Sequence, residues 1–362
     1  MEGQPQEAKA REEKPLVAEV VMTHETTGGF MQRLIDEGPV MGPRERSKHP
    51  GFVKFDWLDS ADQLQLQYTT TTIPPKKAFF PPTQVLFDFK LTEPPEITAV
   101  QETEPFTLVG VHPCDLAALD ELDDAYAQEP AEACWPAARA RARVIGVDCL
   151  PDEYCFCYAV GSCGFREGAD LFLTPIDRGY FVEVLTEAGE EMLHLSDIDN
   201  ATDEDSKQAQ QFAARKAENL EASIDATPED FADILEEGDF GDLWREIAGR
   251  CYSCGSCNTT CPTCFCFDIN DEFDLGLTGG RRVRTWDSCQ LQEFALVAGG
   301  HNFRRIRWQR VRHRWHRKFL YLFRQFGRPY CTGCGRCSRA CTADINIVDV
   351  SNEVISRANG RA

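Results

Sequence analysis

The run Cys251-x2-Cys254-x2-Cys257-x3-Cys261-Pro262 recurs eighty residues later as Cys331-x2-Cys334-x2-Cys337-x3-Cys341, and no other feature restricts the possible folds as strongly. Three thiolates two residues apart can wrap three corners of one iron–sulfur cubane, and the fourth cysteine of such a run points away to a neighbouring cluster. Small residues between the cysteines (Ser253, Gly255, Ser256) let the backbone approach the inorganic core. The spacing therefore predicts two [4Fe–4S] clusters with crossed ligation. Cys251, Cys254, Cys257 and Cys341 would hold the first, and Cys331, Cys334, Cys337 and Cys261 the second. Zinc also uses C-x2-C pairs but needs only two of them per site, so two complete four-cysteine runs fit it poorly.

The chain has 17 cysteines in all, an odd number, in 362 residues that need no staples to hold a core. Without a secretory signal, metal ligation is a stronger reading than a disulfide framework. Cys114, Cys149, Cys155 and Cys157 make a second constellation. Cys114 and Cys149 each lie just past an expected strand end, where loops gather into a site, and four thiolates there would complete a third cluster, with Cys163 a possible substitute for one of them. Buried thiols or a lone redox pair are the alternatives. Cys264, Cys266 and Cys289 flank the first run. They read either as an additional metal or redox site or as thiols packed beside the clusters, since free cysteine is often simply buried. Cys134 has no evident partner and reads as structural.

The apolar pattern predicts an α+β N-terminal domain followed by a helical ferredoxin-like dicluster domain. Residues 1–20 are polar and expected to be mobile, and 21–195 form the α+β domain. Val85–Phe89, Phe106–Val111 and Arg143–Val147 read as short, largely buried strands, and Asp115–Tyr126 as a helix. Residues 196–245 are an acidic helical connector, 246–350 the dicluster domain and 351–362 a tail. The interval between Cys261 and Cys331 is too long for a compact βαββαβ ferredoxin. It contains one long helix candidate with an apolar stripe of Trp308, Val311, Trp315, Phe319, Leu322 and Phe326, capped by Asn302 and stopped by Gly327 and Pro329.

The net charge of −21 repels nucleic acid and anionic lipid as a whole. Residues 294–343 depart from that average, with twelve lysines or arginines and no acidic residue. Arg304, Arg305, Arg307, Arg310, Arg312 and Arg314 could line a phosphate-binding stripe. Compensation of anionic thiolate clusters, together with docking of an acidic partner, suits the anionic surroundings better, and a plain solvated face is the alternative. No apolar run approaches the roughly 18 residues of a membrane span, and residues 1–16 offer no signal peptide, so a soluble, cytoplasmic chain is expected. There is no dinucleotide fingerprint and no phosphate-binding P-loop. Electron carriers without a recognisable substrate pocket predict a relay with no catalytic residue of its own.

CYSCGSCNTTCPTCFC (251–266), RTWDSC (284–289), AGGHNFRR (298–305) and YCTGCGRC (330–337) resemble the iron–sulfur beta subunit of cytoplasmic nickel–iron hydrogenases of the sulfhydrogenase type, a family that includes the corresponding iron–sulfur subunit of anaerobic sulfite reductase. PPKKAFFPP (74–82), GVHPCDLAAL (110–119) and YCFC (154–157) extend the likeness over about residues 70–350. His112 departs from it where arginine is common, as does Thr342 where proline is usual. The resemblance implies a subunit that relays electrons between a flavin subunit using NAD(P)H and the hydrogenase small subunit, itself paired with the nickel-bearing large subunit. It also supports the extra cluster in the first half. The alternatives within the same resemblance are a sirohaem sulfite reductase partner or a heterodisulfide-reductase-linked flavin module.

Overall fold

The computed structural model describes residues 18–46, 49–130, 132–195 and 197–360. Most of the expected mobile N-terminus therefore lies outside the described residues. Twelve strands are present among them: β1 (Ala18–Thr23), β2 (Val40–Arg46), β3 (His49–Trp57), β4 (Thr83–Lys90), β5 (Glu96–Ala99), β6 (Phe106–Val111), β7 (Ala142–Val147), β8 (Leu171–Ile176), β9 (Gly179–Val184), β10 (Asp199–Asn200), β11 (Phe267–Phe273) and β12 (Gly279–Trp286).

Eight of them form one mixed sheet in the order β10-β1-β9-β8-β7-β6-β2-β3. Its centre, β2-β6-β7-β8, is parallel, and the outer pairings are antiparallel. Strands covered on both faces read as continuous apolar runs, and this is why Phe106–Val111 and Arg143–Val147 stand out in the sequence. In β7, Val144 faces one core with Leu116 and Leu119 of the helix Pro113–Tyr126. Ile145 and Val147 face the other, with Phe30 and Leu34 of the helix His24–Glu37. Gly110, at φ +79°, places a bulge in β6, so Val111 returns to the same core as Leu108. The first half thus combines helices and strands as expected, but around a parallel centre.

The stretch 246–350 is not wholly helical. β11 and β12 form a hairpin inside it, and β12 pairs with β4 to give a four-stranded sheet in the order β11-β12-β4-β5. Val85–Phe89 therefore lies not in the main core but in this small, half-exposed sheet. The signal was misleading because alternating aromatics suit any pleated, partly covered surface.

The apolar stripe from Val311 to Leu322 lies on a helix that begins at Arg307, passes through a π-turn at Arg317–Tyr321 and ends at Phe326. The Gln309 side chain reaches back to the Ile306 N–H, in the capping place expected of Asn302, and Gly327 closes the helix at φ +74°. Val311, Trp315 and Phe319 pack against Phe231 and Leu235 of the connector helix Pro228–Glu237 and against Trp244 and Ile247 of the helix Gly241–Arg250, which runs across the expected boundary at residue 245. Residues 351–358 are no loose tail. They continue the helix Ile347–Ala358, whose Val354 and Ile355 are buried in the same core. Among the described residues, no helix is long and apolar enough to cross a membrane.

Candidate metal centres

Cys251 caps the helix Gly241–Arg250, donating its N–H to the Ile247 carbonyl at 3.1 Å. The chain then turns through two left-handed residues, Ser253 (φ +57°) and Gly255 (φ +81°), into a short helix at Ser256–Thr259. Eighty residues on, Gly333 (φ +62°) and Gly335 (φ +69°) repeat the turn before the short helix Arg336–Arg339. The repeat in sequence is thus a repeat in backbone conformation. In the first copy it brings Cys251, Cys254 and Cys257 to one cavity, whose wall also includes Cys337 and Cys341 of the second. Backbone N–H groups point at sulfur in both copies: Ser253 N lies 3.3 Å from Cys251 Sγ, and Ile345 N lies 3.4 Å from Cys341 Sγ.

The carboxyl ends of parallel strands in an open sheet are where loops converge on a ligand. β6 and β7 are neighbours, with Val111 opposite Gly146, so His112-Pro113-Cys114 and Asp148-Cys149 emerge side by side. The connection from β7 to β8 folds back over them. The resulting cavity is walled by Cys114, Cys149, Cys155, Cys157 and Cys163 from the first half and by Cys334 from the second motif. Close packing fixes that junction. Phe156 donates its N–H to the Gly333 carbonyl at 2.8 Å, and Ser162 Oγ donates to the Thr332 carbonyl at 2.7 Å. A Cβ on Gly333 would stand 2.5 Å from Cys157 Cα, and one on Gly335 would stand 2.6 Å from the Tyr154 carbonyl oxygen. Only glycine fits there.

Burial disfavours a charged thiolate. It pushes Cys149, Cys155 and Cys257 up to about 12 and Cys334 up to about 11. Buried cations oppose this at each cavity. Arg314 faces Cys257, Cys337, Cys264 and Cys261, and it keeps its charge because those thiols outweigh its own desolvation. Its Nη1 has no hydrogen-bond partner among the described residues. Lys318, held by Thr263, faces Cys261, Cys264 and Cys331. Lys76 donates to the carbonyls of Cys261 (2.8 Å) and Cys264 and sits 4.6 Å over the Trp286 ring. Arg336 is bidentate to Asp115 at 2.7 Å and lies beside Cys334 and Cys114. Lys216 bridges Asp148 and the Cys163 carbonyl, both at 2.5 Å.

Two arginines read from sequence as part of an exposed stripe are interior. Arg310 is 4% exposed and Arg314 is 5% exposed. Arg310 donates to the carbonyls of Gln290 (2.9 Å), Arg304 (3.0 Å) and Arg305 (2.8 Å), so it closes a turn rather than presenting charge to a partner. Arg305, Arg307 and Arg312 are the exposed members. Sequence reasoning also passed over Lys76, Lys216, Asp115 and Asn258. The available signal was local: Lys76 lies in the PPKK stretch and Asp115 directly follows Cys114.

Cubane clusters take one thiolate per iron corner and carry net negative charge, and sulfur-directed N–H groups and nearby cations stabilise them. The donors present fit such a group. Among the described residues, no three Cys, His, Asp or Glu side chains close on one point as a single bound ion requires.

The fold and the duplicated motif define an iron–sulfur protein: residues 250–345 match the 4Fe-4S dicluster domain family. Over 327 residues the chain is 36% identical to sulfhydrogenase 2 subunit beta of Pyrococcus furiosus, covering 90% of this chain and 95% of that protein. The chain belongs to the sulfhydrogenase beta-subunit family.

Proposed function

We propose that the chain is a non-catalytic relay that passes single electrons between a flavin subunit using NAD(P)H and the small subunit of a nickel–iron hydrogenase within a hetero-oligomeric complex. The observation that carries this reading is the contiguity of the thiol cavities, joined through Cys334, Gly333 and Gly335 and each provided with a buried cation. Cys251, Cys254, Cys257 and Cys341 would hold one [4Fe–4S] cluster and Cys331, Cys334, Cys337 and Cys261 the second. Cys114, Cys149, Cys155 and Cys157 would hold a third, leaving Cys163 as a fifth thiol on that wall. Bound there, these clusters supply reversible one-electron chemistry. The protein's own contribution is to exclude water, aim N–H groups at sulfur and place Arg314, Lys318, Arg336 and Lys216 where negative charge gathers.

Anaerobically purified chain should carry about eight iron atoms from the duplicated motif and about four more from the first-half site, and Cys155→Ser should lose about four. Stoichiometric zinc without iron would end the relay reading, and unchanged iron in Cys155→Ser would return the first-half thiols to packing. With flavin and hydrogenase subunits added, the chain should link hydrogen oxidation to NAD(P)⁺ reduction. Cys334→Ser should break that link while dye-coupled hydrogenase activity of the catalytic pair persists. Reoxidation by sulfite only in the presence of a sirohaem subunit would move the chain to the sulfite-reducing branch.

A further inference from the structure

The hairpin stems carry three cysteines that the groups above leave over. Cys264 and Cys266 immediately precede β11, and Cys289 follows β12. Pairing of Phe267 with Trp286 closes the hairpin base and draws the stems together, with the Asp287 N–H donating to the Cys266 carbonyl at 3.0 Å. Cys266 and Cys289 are in hydrogen-bonding contact through sulfur. The buried Asn258 aims its Nδ2 at both, 2.9 Å from Cys289 Sγ and 3.8 Å from Cys266 Sγ. The Gln290 amide adds a donor 3.6 Å from Cys289 Sγ.

These thiols face a cavity of 440 Å³, ringed by Arg304, Arg314, Arg317, Lys318 and His313, with no carboxylate among its lining residues. Arg304 Nε and Arg314 Nη1 are buried without a hydrogen-bond partner among the described residues. Thiols that serve only to pack would be enclosed by apolar side chains, and these open instead onto a roomy, cationic space. Cys264 is in the same sulfur contact with Cys261, so it stands between the dicluster thiols and this pair, and a simple Cys266–Cys289 dithiol would not account for the unsatisfied guanidinium nitrogens. Buried guanidinium nitrogens without an acceptor are costly, so the cavity calls for an anionic, thiolate-bound occupant.

We propose that Cys264, Cys266 and Cys289 anchor a further iron–sulfur cluster whose remaining iron site faces this cavity, where His313 is the available nitrogen donor. Three thiolates fix three corners, and Arg304, Arg314, Arg317 and Lys318 balance the charge. Arg314 and Lys318 also face Cys261 and Cys264, so this cluster adjoins the dicluster pair and adds a step to the same relay. The inference thus extends the relay reading, but its own test stands apart.

The full-length chain, purified anaerobically, is compared with Cys266→Ser, Cys289→Ser and, as a control outside every thiol cavity, Cys134→Ser. Iron, acid-labile sulfide and low-temperature electron paramagnetic resonance are measured on each. Cys266→Ser and Cys289→Ser should each lose about three to four iron atoms with matching sulfide and keep the dicluster signals, while Cys134→Ser loses none. Full iron in both serine variants overturns the proposal, as does a Cys266–Cys289 disulfide found by peptide mass spectrometry in freshly prepared anaerobic protein. Iron in the wild type with no difference in the variants defeats this site alone, whereas a wild type free of iron defeats the relay itself. If the serine variants lose every cluster by misfolding, His313→Gln decides. It should change the resonance spectrum or iron content of one cluster only, and an unaltered spectrum overturns the proposal.

Discussion

Arg336 and Asp115 meet in the interior, with side chains 2% and 0% exposed, and their two hydrogen bonds of 2.7 Å tie the second cysteine motif to the helix that follows β6. A buried ion pair is weak evidence of net stabilisation, but breaking it leaves one charge uncompensated at a cost of about 3–5 kcal/mol. Asp115→Ala should therefore destabilise the protein by about that amount. The double change Asp115→Leu with Arg336→Met should cost clearly less. Chemical denaturation of wild type and the two variants checks this, and a double change that costs as much as Asp115→Ala or more would mean that the pair does not act as a unit. The same logic explains why the cations near the thiols matter more than those on the surface. Arg314 and Lys318 are buried, whereas Arg305 and Arg312 are solvated and screened.

At the scale of elements, the helix Asp203–Glu218 shows how the acidic connector is anchored. Thr202 and Asp205 form a reciprocal capping box, and Arg178 from the β8–β9 turn clamps Asp205 at 2.9 and 2.8 Å while also reaching Asp199 at 2.7 Å. The Arg178 and Thr202 hydrogen bonds hold the Asp205 carboxyl well below its ordinary value. A folded-state pKa below the unfolded one, about 3.9, gives stability that is fully present above that pH and is lost as pH falls towards the folded value. Asp205→Asn should lower the melting temperature at pH 7, and the gap from wild type should narrow below about pH 4. A gap that stays constant from pH 7 to pH 3 would show that the carboxylate charge contributes nothing. The other end of this helix carries Lys216 to the Cys149 cavity, so the cap also holds a cation in place.

The whole molecule is interlocked rather than serial. β4 and β5 leave the first half to pair with the β11–β12 hairpin of the last third, and Phe156 leaves the β7–β8 connection to join the core formed by Trp244, Val311 and Trp315. Residues 1–245 made alone would expose one edge of β4, the Phe156 side chain and the inner face of the helix Pro228–Glu237, and would cut the helix Gly241–Arg250 in half. Unpaired strand edges and uncovered apolar faces favour aggregation. That fragment should fail to unfold cooperatively by circular dichroism, and co-expression with residues 246–362 should restore a cooperative transition. A fragment that melts sharply by itself would show that the interlock is dispensable.

Much of the metal chemistry was legible in the sequence because ligand spacing is local: a C-x2-C-x2-C-x3-C run sets which thiols one turn of chain can bring together. The parallel strands were legible for a similar reason, since burial on both faces leaves an unbroken apolar run in Phe106–Val111 and Arg143–Val147. What the sequence could not express was pairing at long range. β4 and β12 lie nearly two hundred residues apart, and nothing in Val85–Phe89 announces a partner in Gly280–Val283. Nor could composition separate Arg310 and Arg314 from Arg305 and Arg312, because burial belongs to helix phase and neighbours, not to residue type. Tertiary structure alone decided which cations face the thiols. It also gathered Cys264, Cys266 and Cys289 at the base of one hairpin, because strand pairing closes a distance that the covalent chain leaves open.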